Sequence, residues 1–320
     1  RRRRMGKKKK KKSHVRTKLC SARNGEIDND NRKLLTLFGV AFVVAVAAFV
    51  LSPSPSPSSP QAGIGKGNSS ALVFVGCSEN SYLPAVQGCT PTQCFREYVK
   101  GFANEREVSD LIQLAEEGMK VGGGGAGSVS IFDTASGACS HGEQFVNAYE
   151  VLKSQGKSLN DSLLRTFQAV IDRVGSTIAK KRGLEVLYPA SPTFFSRIEG
   201  GSKAVQINDE YWHAHVDTRQ YGTFIYTSLL YLNTHGEDYK GGEFQFVSPG
   251  GDDEENDDIE GASSPIDAPS IIHPRSGNLL IFTSGEENPH RVRKVREGVR
   301  YAVTISWTCD ESAANARRFS

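Results

Sequence analysis

The chain has 320 residues, 38% of them hydrophobic and 23% charged, enough to bury one sizeable core with room for further segments. Its net charge of +3 conceals two opposed regions: residues 1–33 carry 15 Lys/Arg against 3 Asp/Glu, and the remainder carries 24 against 33. A basic nucleic-acid-binding body is thereby excluded, because the positive charge is confined to a tail and the globular part is acidic.

The basic tail runs into residues 34–51, LLTLFGVAFVVAVAAFVL, which hold no charge. As a helix this run spans roughly 27 Å, about the apolar thickness of an endoplasmic reticulum bilayer. A basic flank on its N-terminal side keeps that side cytoplasmic. The expected topology is a single-pass type II membrane protein of the endoplasmic reticulum or Golgi. Residues 1–33 are its cytoplasmic tail, 34–51 its transmembrane signal-anchor helix, and the body is luminal. A cleaved signal peptide is the weaker reading, since the run exceeds the usual core of ~7–15 residues. Residues 52–75 begin SPSPSPSSP; Ser, Pro and Gly at this density form an extended stalk rather than a packed core. Asn68-Ser69-Ser70 and Asn160-Asp161-Ser162 fit the glycosylation acceptor pattern.

Five cysteines follow the apolar run: Cys77, Cys89, Cys94, Cys139 and Cys309. In an oxidising lumen four would pair and one would stay free, with the connectivity open. A zinc knuckle at 77–94 is disfavoured, because no histidine lies nearby and no C-x2-C spacing occurs.

Residues 76–183 read as a Cys-containing, helical N-terminal region. Asn104…Glu107 is a capping-box pattern, followed by apolar residues at 108, 111, 112, 114 and 115, which predicts a helix over 104–120. Residues 121–140, rich in glycine, read as a flexible loop; the Gly-Lys-Ser/Thr ending of a phosphate-binding loop is absent. A long helix is expected over 158–183, with Leu159, Leu163, Phe167, Val170, Ile171, Val174 and Ile178 on one face and Gly183 as its stop.

From 184 to 310 the pattern changes to short β-branched and aromatic runs parted by Gly, Pro, Asn and Asp, which argues for a β-sandwich or barrel. Residues 248–265 form an acid-rich surface insertion without the ordered spacing of a calcium loop, and 311–320 are a tail.

Within this region YWHAHVDT, residues 211–218, puts His213, His215 and Asp217 at alternate positions. Read as a strand, all three face one way. Positions i and i+4 then lie roughly 13 Å apart and i, i+2 about 7 Å, so one ion takes 213/215 or 215/217. Two histidines and a carboxylate on one face of iron, with open positions opposite, make the usual non-haem Fe(II) oxygenase site. A distal third ligand stands at His290, and Arg300 opens the strand RYAVTISW ten residues later. A buried arginine suits bidentate carboxylate binding. Thr304 shares its strand face, and Tyr231 could add a hydroxyl.

HVD, YTSLLYLN, YKGGEFQF, HPRSGNLLIF, NPH and RYAVTISW together resemble the prolyl 4-hydroxylase group of 2-oxoglutarate- and Fe(II)-dependent dioxygenases, over roughly residues 190–310. The resemblance implies an α+β, mainly β fold: a double-stranded β-helix (jelly-roll) core buttressed by N-terminal helices. It implies that His215, Asp217 and His290 bind iron, leaving His213 as a neighbour on the rim. Arg300 would pair with the distal carboxylate of 2-oxoglutarate, helped by Tyr231 and Thr304. The implied reaction is hydroxylation by O2 with oxidative decarboxylation of 2-oxoglutarate to succinate and CO2, with ascorbate as reductant. The expected substrate is a prolyl residue of a luminal protein or peptide. Another residue, a small molecule, or a non-catalytic jelly-roll binding protein are the alternatives.

Overall fold

The computed structural model describes residues 70–315 except 79–80, 83–84, 206–208 and 249–270, all within the compact unit Ile64–Ser320. The expected tail, anchor helix, most of the stalk, the Asn68 sequon and nearly all of the acid-rich insertion lie outside the described residues. Among the described residues no helix is long and apolar enough to cross a membrane.

Both expected helices form. α1, Glu105–Gly122, starts at Asn104, whose side chain accepts from the Glu107 amide while the Glu107 carboxylate accepts from the Asn104 amide. This reciprocal pair satisfies two amides that the first helical turn leaves open. Val108, Leu111, Leu114, Ala115 and Met119 form its buried stripe, and Gly123 ends it at φ 82°. The short α2, Ala148–Ser154, follows, and then α3, Asp161–Arg182, capped by Asn160 and ended by Gly183 at φ 66°.

The strands in chain order are β1 Ser70–Val75, β2 Cys94–Val99, β3 Gly124–Gly125, β4 Val129–Asp133, β5 Ala138–Gly142, β6 Gln144–Asn147 and β7 Tyr188–Glu199. A helical turn, α4 Asp217–Gln220, precedes β8 Tyr226–Tyr231, β9 Tyr239–Gly241, β10 Phe244–Phe246, β11 Ile271–Ile272, β12 Leu279–Thr283, β13 His290–Val292 and β14 Val295–Thr308. Residues 121–140, expected as a loop, contain β3, β4 and the start of β5. The glycine run masked a Val-Ser-Ile-Phe-Asp strand whose partner, β7, lies far off in sequence. Residues 211–218, read as a strand, contribute only an isolated bridge at His215, and Asp217 already begins α4.

One large sheet runs β1-β2-β12-β8-β14-β7-β4-β5-β3, and a small one runs β11-β10-β13. The His215–His290 bridge adds a fourth segment to the small sheet. Alternation along the central strands sorts side chains between two cores. Leu229, Tyr231, Leu280, Phe282 and Ala302 pack with Phe244, Phe246 and Ile272 of the small sheet. Leu230, Leu279, Ile281, Val303 and Ile305 pack instead with the apolar stripes of α1 and α3. The two-sheet core with buttressing helices matches the expected sheet-rich architecture. α3 is also tied to β2 by ion pairs from Lys181 and Arg182 to Glu97, which is 2% exposed. A carboxylate that buried needs such partners.

Disulfides join Cys77 to Cys94 and Cys89 to Cys309, and Cys139 is free and buried, the expected division of four and one.

Candidate metal centre

His215 and His290 face each other across the small sheet, each amide donating to the other's carbonyl at 2.9 Å. Their rings lie with centroids 4.4 Å apart. Each Nδ1 sits against a backbone carbonyl: His215 on His213 at 3.2 Å, His290 on Asn288 at 3.0 Å. A carbonyl can only accept, so both Nδ1 atoms carry the proton, and both Nε2 lone pairs are left for a ligand. Both Nε2 atoms converge on Asp217 Oδ1, at 3.8 Å from His215 and 3.7 Å from His290.

The carboxylate is held in turn. Thr227 Oγ1 donates to Asp217 Oδ2 at 2.5 Å and lies 2.8 Å from Ser284 Oγ. The ligand atoms of His215, Asp217 and His290 all fall within 4.8 Å of one another. Metal bonds of about 2.0–2.2 Å put neighbouring donors roughly 3 Å apart, so a small inward movement completes the set. His290 lies in an aromatic box of Phe244, stacked at 5.0 Å, and Phe282 at 4.8 Å. Burial there lowers its pKa to about 4 against the pull of Asp217, so the ring is neutral and ready to bind at neutral pH.

The same cavity, about 490 Å³, reaches Arg300 and Thr304. Arg300 is 1% exposed; its Nε donates to the Gly242 carbonyl at 3.1 Å, while its Nη2 is buried with no hydrogen-bond partner. The Tyr231 hydroxyl is likewise buried and unpartnered, and the buried Tyr239 hydroxyl lies beside the Arg300 guanidinium. Tyr231 does not line the cavity; its ring lies 5.6 Å from the Arg300 guanidinium carbon. Burial holds both phenols protonated, pushing Tyr239 to about 12 and Tyr231 well above its usual value. Unsatisfied buried donors are costly. An anionic group arriving from the cavity, such as the distal carboxylate of 2-oxoglutarate, is the chemistry that Arg300 would satisfy.

His213 stands apart from the three. It lies against Glu210 at 3.1 Å and serves the site through its backbone carbonyl. A second cluster of His235, Glu243 and His273 has the same donor types but lines no part of this cavity. Thr227, Ser284 and Asn288 were not legible as site residues, because single polar positions within apolar runs carry no periodic signal.

Residues 202–308 match the profile described as the 2OG-Fe(II) oxygenase superfamily. The chain is 38% identical over 243 residues to the "2-oxoglutarate and iron-dependent oxygenase domain-containing protein 3" of Rattus norvegicus, covering 75% of this chain and 71% of that one. It belongs to the 2OG-Fe(II) oxygenase superfamily. The Homo sapiens protein of the same name is also 38% identical, with 75% and 70% covered. "Prolyl 3-hydroxylase 2" of Homo sapiens is 35% identical over 88 residues, 27% of this chain and 10% of that one. A solved prolyl-4-hydroxylase from Pseudomonas putida aligns at 17% identity and a TM-score of 0.40, covering 67% of this chain and 91% of that one. This superfamily member is a 2-oxoglutarate-dependent dioxygenase that works with Fe(II), 2-oxoglutarate and O2, ascorbate being the usual reductant.

Proposed function

We propose that this dioxygenase hydroxylates a prolyl residue of a secretory-pathway protein or peptide, with His215, Asp217 and His290 holding Fe(II) and Arg300 holding 2-oxoglutarate. The observation that carries the reading is a single cavity joining the three convergent ligands to a buried guanidinium with a free N–H. With the metal and cosubstrate bound, O2 supplies the oxidant for an unactivated C–H bond, and 2-oxoglutarate leaves as succinate and CO2. The chain's own residues fix where this happens. Thr227 takes up one oxygen of Asp217 and so turns the other to the metal, while the carbonyls of His213 and Asn288 set the ring orientations. Arg300 orients the cosubstrate from the far end, Thr304 supplies a hydroxyl on the cavity wall, and Tyr231, expected as a second hydroxyl, instead backs the Arg300 guanidinium with its ring. The retained carboxylate of Asp217 favours hydroxylation over halogenation, since a halide would need its place.

The substrate side of the cavity supports a proline-containing segment. Phe194, Tyr211, Tyr221 and Phe224 line it, and Tyr221 and Phe224 stack at 4.8 Å. Aromatic walls of this kind suit the rigid rings of extended proline-rich chains. The name of one relative, a prolyl 3-hydroxylase, points the same way. The charge-free run at 34–51 and the two disulfides support a membrane-anchored protein with its catalytic body, residues 76–310, in the lumen. The test is mass spectrometry of luminal proteins from cells with and without the enzyme. Added mass of one oxygen at proline supports the reading; addition only at other residues shifts it to the alternative of a different side chain.

A further inference from the structure

We propose that His235, Glu243 and His273 form a second metal site, separate from the iron centre, which takes a structural cation of the Zn2+ class. One donor atom from each residue lies within 4.8 Å of the others. His235 Nε2 faces Glu243 Oε1 at 3.0 Å, and the His235 and His273 ring centroids lie 4.9 Å apart, so one ion would take a single ring nitrogen of His235. The His–Glu contact accounts for one carboxylate oxygen only. Glu243 is 6% exposed, and its Oε2 is buried without a hydrogen-bond partner. A carboxylate oxygen sealed from water and left unpaired is destabilising, and a cation removes that cost. Two imidazoles beside one carboxylate are the nitrogen and oxygen donors that Zn2+ accepts.

The position gives such an ion a structural task. β10 and β11 pair over Phe244–Ile272 and Gln245–Ile271 only, and 24 residues separate the strands in sequence. Glu243 and His273 are the next positions beyond that short ladder. His235, after β8, donates its amide to the carbonyl of Pro274 at 2.9 Å. One ion would therefore staple three segments at the end of a ladder too short to close a long connection well on its own. It would also fix the chain next to Gly242, whose carbonyl holds Arg300.

The test uses the full chain, stripped of metal, exposed to Zn2+ alone and desalted, with bound metal counted by mass spectrometry. An Asp217→Ala/His290→Ala variant should keep one equivalent and show a raised Tm with Zn2+. Adding His273→Ala, a change at an exposed position, should remove that equivalent and abolish the Tm shift. Glu243→Gln in the same background should weaken retention at least tenfold. The proposal is overturned if the Asp217→Ala/His290→Ala protein retains no Zn2+, or if it retains one equivalent that His273→Ala leaves in place. Circular dichroism confirms the fold of each variant.

Discussion

His215 and His290, 75 positions apart in sequence, exchange both backbone hydrogen bonds at 2.9 Å and so hold their imidazoles side by side. Backbone pairing rather than a side-chain contact sets the distance between these two candidate ligands. Only Asp217 must be positioned from outside the small sheet, and Thr227 does this.

Replacing Thr227 with valine keeps the shape of a side chain that is 2% exposed and removes the donor to Asp217. Loss of a partner behind a metal ligand typically lowers metal affinity about 10–100-fold. Fe(II) titration under anaerobic conditions should show a drop in that range, with the melting temperature shifted by only a few degrees.

Arg300 and Tyr231 should separate binding from stability. Arg300→Ala removes the proposed charge partner of 2-oxoglutarate and should raise its Kd by at least about 30-fold, from a loss of 2 kcal/mol or more. Tyr231→Phe removes a hydroxyl that is buried and unpaired in the ligand-free protein. That protein should gain about 1 kcal/mol in denaturant unfolding, with the 2-oxoglutarate Kd left near the wild-type value. A loss of stability would show that the hydroxyl is already satisfied.

Much of this site was legible in the sequence. His215, Asp217, His290 and Arg300 were picked out by their pattern, and the three candidate ligands do converge on a cavity that Arg300 also lines. The local geometry was not legible. Alternation in YWHAHVDT implied a strand, yet the chain turns after Val216 and Asp217 enters a helical turn. Period two is a weak signal over so few residues when a tertiary bridge decides the backbone. Thr227 and Asn288 act through partners distant in sequence, which no local pattern encodes. The helices were the reverse case: the Asn104–Glu107 box and the stripe of α3 are local physics and emerged as read.

The two disulfides should differ in weight. Cys77–Cys94 spans 17 residues and Cys89–Cys309 spans 220. On the chain-entropy account these loops correspond to about 3 and about 5 kcal/mol. Thermal melts of the Cys77→Ser/Cys94→Ser and Cys89→Ser/Cys309→Ser proteins should place the second pair lower.

His290 gives the metal-free protein an acid-side instability. Its folded pKa of about 4 lies below the ordinary value of 6.5, because burial disfavours the imidazolium. Between those values the unfolded chain binds the extra proton, so stability falls as pH drops from about 6.5 to 4, by on the order of 3 kcal/mol. Denaturant midpoints measured across that range should show the slope, and His290→Gln should flatten it.

The central claim is that the His215–Asp217–His290 set, served by Arg300, drives turnover of 2-oxoglutarate. Succinate release under Fe(II), O2 and ascorbate, with and without proline-containing peptides, tests it most directly. The wild-type protein should form succinate, with peptide hydroxylation in step, and Asp217→Ala should abolish both. Full succinate formation by Asp217→Ala, or none by the wild type with any peptide, would contradict the account.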